Sequence, residues 1–318
     1  MKLIKFFIKI LFISFIPLLA IDGIRKADLV IDPRSGNAYL AAFTDKMHLL
    51  DTVPSPRIIL MSGSSMAFGV DSDLLSKELE MPVVNAALHF NLGSKFMVEQ
   101  LKATAKKGDI VLITLEYIAT SEGQHDDQLM VADFYPEAKK WIHFDSFYEE
   151  IGAYIKHRLS DCRLLVGETL SGTRDKAVSI DDTTSVFFRN CFNPQNGDLL
   201  GHLNNPKPTF ANPELSIDVN FREQIKDLND FAVFAQKNGI KVFFTFPSYA
   251  ESGFEKNMSQ VRILEQDCRK NLKIPILGSP ENSAMDDIFF YDSVYHPNAQ
   301  GRKIFTSRLI QLLEQEGI

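Results

Sequence analysis

The chain has 318 residues, 45% hydrophobic and 24% charged. That composition excludes collagen-like, low-complexity and wholly disordered chains and is enough for one large α/β core. The 34 Lys and Arg against 41 Asp and Glu give a net charge of −7, with no basic block beyond the extreme N-terminus, so a nucleic-acid partner is excluded. Cys162, Cys191 and Cys268 are odd in number, widely spaced and without a C-x-x-C pair, which points to neither a zinc site nor a disulfide framework.

Residues 1–21 read MKLIKFFIKILFISFIPLLAI, with Lys2, Lys5 and Lys9, no acid, and an apolar run that begins at Ile10. A basic start followed by an apolar run is an export signal, fitting either a cleaved signal peptide or an uncleaved membrane anchor within residues 1–26. The expected location is the cell envelope, membrane-anchored or periplasmic/extracellular. Removing those three lysines takes the net charge from −7 to −10, which favours a neutral polymer over an anionic one as ligand.

Beyond the signal, short β-branched runs alternate with longer helical patterns, the mark of a parallel sheet covered on both faces. The predicted strands are Arg57 to Met61, Pro82 to Ala86, Asp109 to Leu115, Ile240 to Phe246 and Ile274 to Leu277. The predicted helices are Ser72 to Glu80, Ser94 to Lys106, Phe221 to Asn238, Glu255 to Lys273 and Asn298 to Glu316. The expected fold class is α/β, a three-layer α/β/α domain over residues 27–318 with a five-stranded, mostly parallel, flavodoxin-like sheet. Residues 118–215 are far longer than a crossover helix needs and read as an insertion. Its first half, Glu137 to Leu159, is helical and aromatic; its second, Gly172 to Pro213, has loop composition.

In an open parallel sheet the ligand crevice lies beyond the carboxyl ends of the strands. After strand one comes Ser62-Gly63-Ser64-Ser65-Met66-Ala67-Phe68-Gly69. A serine in a Gly-flanked turn between strand and helix fits either a nucleophile beside backbone N–H groups or an ordinary βα loop. After the last strand comes Asp292-Ser293-Val294-Tyr295-His296-Pro297, with Pro297 expected in the first turn of the terminal helix. A carboxylate that accepts the His Nδ1 proton leaves Nε2 to take a proton from a serine. No pair of ligating side chains falls at metal spacing on a helix face, and no phosphate or dinucleotide loop is present, so neither metal nor cofactor is expected.

The segments Gly63-Ser64-Ser65 to Gly69, Asn85-Ala86-Ala87-Leu88-His89-Phe90-Asn91-Leu92-Gly93 and Asp292 to Arg302 together resemble the SGNH (GDSL-like) hydrolase superfamily. The likeness is closest to its exported branch, proteins that work beside membrane-bound O-acyltransferases on cell-surface polymers. It covers residues 55–117 and 216–318 and omits the insertion. It implies Ser65 as nucleophile, His296 as general base and Asp292 as the acid that orients it. For the oxyanion it implies Gly93, with Asn91 as a side-chain donor. Asn85 fits either a donor or a buried amide, and Glu116 either a site carboxylate or half of an ion pair. His89 fits a structural role. The chain departs from the family pattern after strand two, where Phe90 stands at the usual glycine. A second departure follows strand three, where Thr114-Leu115-Glu116-Tyr117 replaces the block that carries an Asn donor. A lost donor predicts weak hydrolysis.

The expected function is a serine esterase or O-acyltransferase acting on acyl esters, acetyl above all, of a cell-envelope glycan or a small ester. A membrane O-acyltransferase is an expected partner, and the N-terminal segment an expected membrane contact. The alternative is a catalytically weak or inactive accessory protein that binds a polysaccharide or that partner.

Overall fold

The computed structural model describes residues 3–10, 13, 16, 19, 20, 23, 37–171, 186–204, 217 and 220–318, with the backbone alone for 161–171. The chain divides into two compact units, one of Met1–Ala38 with Phe144–Thr183 and one of Tyr39–His143 with Thr184–Ile318.

The second unit holds an all-parallel, five-stranded sheet. Its strands are β1 (Ile58–Met61), β2 (Val83–Asn85), β3 (Ile110–Ile113), β4 (Lys241–Thr245) and β5 (Ile276–Leu277). Their spatial order is β2-β1-β3-β4-β5, the flavodoxin-like order, in which the chain reverses direction across the sheet at β1/β3. Register is tight: Ile58 to Met61 pair with Ile110 to Ile113, and Ile110 to Ile113 with Lys241 to Phe244. Every residue of β1, β2 and β3 is buried, as strands covered on both faces require.

Helices fall into two packed groups around that sheet, giving a three-layer α/β/α domain. One group comprises α1 (Ala42–Thr52), α4 (Gly93–Thr104) and α7 (Arg222–Asn238). The other comprises α2 (Ser64–Gly69), α3 (Ser72–Glu78) and the terminal α10 (Ala299–Gln315). The helix expected from Glu255 is two pieces, α8 (Glu251–Lys256) and α9 (Met258–Asn271). At the amino ends of β1 and β3 the fully buried Arg57 meets Asp109 at 3.3 Å. It also donates to Leu50 O, Val53 O and Thr104 O, so one guanidinium satisfies carbonyls at the carboxyl ends of both α1 and α4.

The stretch 118–215 does not separate as one insertion: residues 118–143 and 184–215 belong to the sheet unit and Phe144–Thr183 to the other. Its start carries α5 (His125–Phe134) and a 3-10 turn, Pro136–Trp141, and Trp141 packs on Phe43, Phe96 and Tyr135 inside the sheet unit. Residues 186–204 return to the same core. Asp198 there is fully buried and accepts from Ser72, Asn85 and Arg302. Lys46 Nζ joins β2 to this return by donating to Asn85 O at 2.8 Å and Gly197 O at 2.6 Å. The physical reason is that α2, the start of α3 and β2 carry buried polar groups which this return satisfies: Ala67 O accepts from Leu199 N, the Ser72 N–H and hydroxyl donate to Asp198, and Asn85 N donates to Asn196 O.

The first unit contains α6 (Phe147–Ser171), on which Phe147, Tyr148 and Ile151 are exposed. Residues 3–10 are helical, with exposed apolar side chains. No helix among the described residues is long and apolar enough to cross a membrane. Residues 1–26, expected to direct export, are described only in part, and of the loop expected over Gly172 to Pro213, residues 172–185 and 205–213 lie outside the described residues. Neither Cys191 nor Cys268 is in a disulfide; the Cys162 side chain is outside the described residues.

Candidate active site

Three elements of the sheet unit build the site: the turn from β1 into α2, the turn after β2, and the loop from Phe290 to Pro297. The last is closed by an antiparallel bridge between Phe290 and Pro297 and by the Tyr291 N–H donating to His296 O at 2.8 Å. Asp292 and His296 thus stand on one short, self-tied loop. Asn298, rather than Pro297, opens α10: its side chain accepts from Gln300 N at 3.0 Å and Gly301 N at 3.1 Å, an N-cap that leaves Pro297 just outside the helix.

His296 Nδ1 lies 2.6 Å from Asp292 Oδ1, and His296 Nε2 lies 2.8 Å from Ser64 Oγ. A carboxylate on one side makes Nδ1 the protonated nitrogen, so Nε2 accepts from the serine hydroxyl. The imidazole stacks on Phe68 at 3.9 Å between centroids and 5° between planes. Phe68 is itself fully buried and packs on His202 at 4.7 Å, so the ring rests on a rigid floor.

The serine differs from the expected one. Ser65 is fully buried, its hydroxyl 2.9 Å from Ser62 Oγ and its N–H donating to Glu116 Oε1 at 2.8 Å. Successive helical side chains are turned by about 100°, so only one of two adjacent serines at the start of α2 can face His296, and Ser64 does. Gly63 makes this turn feasible, because a Cβ there would lie 2.5 Å from both Glu116 carboxyl oxygens and 2.6 Å from Phe90 N.

The expected oxyanion donors are committed elsewhere. Gly93, at φ +78°, gives its N–H to Phe90 O, and its Cα abuts the backbone of Ser121 to Gly123. The Asn91 amide donates to Asp127 at 2.7 Å. The Asn85 amide donates to Met66 O and Asp198, and its oxygen accepts from Ala87 N, making it the buried amide of the two readings. His89 is structural in the same sense: its Nδ1 accepts from Asn91 N, and burial holds its pKa below the usual histidine range.

Glu116 forms no ion pair among the described residues. Its side chain is buried beside Gly63, Oε2 has no hydrogen-bond partner, and burial pushes its pKa up. Tyr39 and His202 are site neighbours that sequence reasoning missed. Tyr39 donates to Leu88 O at 2.8 Å, and burial, then Glu116 and Asp292, raise its pKa. His202 is buried against Phe68 and Tyr291, and burial lowers its pKa to about 3. Neither carries a local sequence signal, since both reach the site by packing.

No protein-family model matches the chain, and no curated protein sequence matches it.

Proposed function

We propose that this chain is a serine-dependent acyl-ester enzyme of SGNH type with Ser64, His296 and Asp292 as its triad. The observation that carries the reading is the single imidazole placed 2.8 Å from a serine hydroxyl and 2.6 Å from a carboxylate. Ser64 Oγ attacks the ester carbonyl while its proton passes to His296 Nε2. Asp292 holds the Nδ1 proton and stabilises the imidazolium. The tetrahedral intermediate expels the alkoxide, which takes the proton from His296, leaving an acyl-Ser64. Water or a sugar hydroxyl then attacks that ester and gives its proton to His296, which passes it to Ser64 Oγ as the acyl–oxygen bond breaks and the acid or the new ester leaves. The basic N-terminal segment supports export, and with the family resemblance it makes an acetylated neutral glycan of the cell envelope the proposed substrate and a membrane O-acyltransferase the proposed partner.

Fluorophosphonate labelling of the full chain tests this. Labelling is abolished by Ser64→Ala and retained by Ser65→Ala; the reverse pattern overturns the assignment. A second reading, a non-catalytic binding protein, is favoured by the commitment of Gly93, Asn91 and Asn85 to other partners, and it stands if the intact protein resists the probe at high concentration.

A further inference from the structure

The triad as placed lacks a side-chain donor for the carbonyl oxygen, and the group nearest to supplying one is an acid. The Glu116 carboxyl packs over Gly63, the residue before Ser64, and both of its oxygens and the Phe90 N–H crowd the same face of that glycine, each within 2.6 Å of where a Cβ would stand. Oε1 accepts from the Ser65 N–H at 2.8 Å, whereas Oε2 is buried and has no partner. The Phe90 N–H, first in its 3-10 turn, likewise has no acceptor among the described residues.

The pattern of partners decides the chemistry. A carboxylate is acceptor-only, and a buried one with no cation paired to it and one oxygen unmatched is unfavourable. A neutral acid has a carbonyl oxygen that accepts and a hydroxyl that donates. Because Oε1 already accepts, the hydroxyl is Oε2, and the unpartnered atom is then a donor beside the unpartnered Phe90 N–H. Two donors without an acceptor, next to a nucleophilic serine, describe a receptor for one oxygen.

We infer that Glu116 is held as a neutral carboxylic acid whose Oε2–H, with the Phe90 N–H, receives the carbonyl oxygen of the acyl group attacked by Ser64. The inference rests on the proposed triad. The proton stays on Glu116 throughout: it is shared in a hydrogen bond that shortens as the oxygen gains charge, and no bond to it breaks. The ionisable groups that face Glu116 are His296, Tyr39 and Tyr295, with Asp292 and His89 acting beyond them. Of these, His296 alone opposes the neutral acid by its charge, and it is uncharged when it serves as base. Burial, the largest influence on Glu116, favours the neutral form; hydrogen bonds from the Ser65 N–H, its own N–H and the Ser65 hydroxyl act the other way without outweighing it.

The test compares wild type, Ser64→Ala, Glu116→Gln and Glu116→Ala as full chains. It reads the second-order rate of fluorophosphonate labelling across pH, together with the infrared carbonyl stretch of a protonated carboxylic acid. Thermal melts confirm folding. Gln keeps an acceptor at one position and a donor at the other. It should therefore keep the rate within about tenfold and lack the alkaline decline expected of wild type as Glu116 ionises, whereas Ala should lose about 10²- to 10³-fold. The infrared band should be present in wild type at the labelling optimum and absent from Glu116→Gln. If labelling depends on Ser64 but Gln is as damaging as Ala and the pH profile is unchanged, Glu116 acts as a carboxylate that ties the turn, and this inference alone fails. If the wild-type chain is never labelled, the triad reading fails and takes the inference with it.

Discussion

Replacing Gly63 with alanine probes the close approach on which the turn depends. The new Cβ would meet both Glu116 carboxyl oxygens at 2.5 Å and the Phe90 nitrogen at 2.6 Å, about 0.9 Å inside ordinary van der Waals contact for each. The carboxyl group sits at the end of a side chain and can swing, but it is buried and tied to the Ser65 N–H, and the Phe90 nitrogen is backbone. Overpacking of this kind costs about 1–3 kcal/mol, which for a domain of this size lowers the melting temperature by about 2–12 °C. Displacing the turn by about 1 Å carries Ser64 away from His296 and reduces fluorophosphonate labelling by about 10²-fold. Circular-dichroism melts and labelling rates measure the two effects separately. Glu116→Ala removes two of the three short contacts, so Gly63→Ala should cost less stability in that background, a coupling of about 0.5–3 kcal/mol. A Gly63→Ala protein that melts within about 1 °C of wild type and labels at the wild-type rate would refute the packing argument. A penalty of the same size in both backgrounds would show that Phe90, not Glu116, sets it.

Lys46 provides a pH test. Burial lowers its pKa from 10.5 to about 7, so between those values the unfolded chain binds the extra proton, and stability rises with pH by up to about 1.4 kcal/mol per pH unit. In Lys46→Met that rise should vanish from denaturant melts between pH 7 and 10, and an unchanged slope would show that the amine stays charged against its two carbonyls. Asp198→Ala strands the buried Arg302 guanidinium, whose remaining carboxylate, Asp71, is 3.7 Å away. The expected loss is about 3–5 kcal/mol in equilibrium unfolding, and a loss under about 1 kcal/mol would mean that Asp71 takes over the pairing. Asn91→Ala should leave labelling within a few-fold of wild type, because its amide serves Asp127; a drop of about 10²-fold would return it to the oxyanion site.

All five sheet strands are legible in the sequence because each is a short, largely apolar run flanked by turn residues, and in β1, β2 and β3 burial on both faces leaves no alternation to misread. Asp292 and His296 are legible as a pair for a related reason: they are four residues apart on one loop, so their meeting needs little tertiary information. The helix over Ala42–Thr52 is not legible, since its buried face includes a lysine. Lys46 is inside because two carbonyls, from Asn85 and Gly197, await its amine, and these come from segments distant in sequence.

Sequence alone thus determined the sheet, its parallel sense and the two loop residues that hold the imidazole. Between Ser64 and Ser65 the resemblance points to Ser65, and the local sequence offers no check on that, because both follow Gly63 and both open the same helix. That choice depends on which hydroxyl Ser62, three residues from Ser65, captures and on the helix phase relative to His296, and the latter is set by packing across more than 200 residues of chain. Tertiary structure also removed Gly93, Asn91 and Asn85 from the oxyanion role, since a donor's use is decided by the acceptor that reaches it first. It left Glu116 buried with one oxygen unmatched, because a hydrogen-bond deficit belongs to the assembled set of neighbours and to no residue by itself.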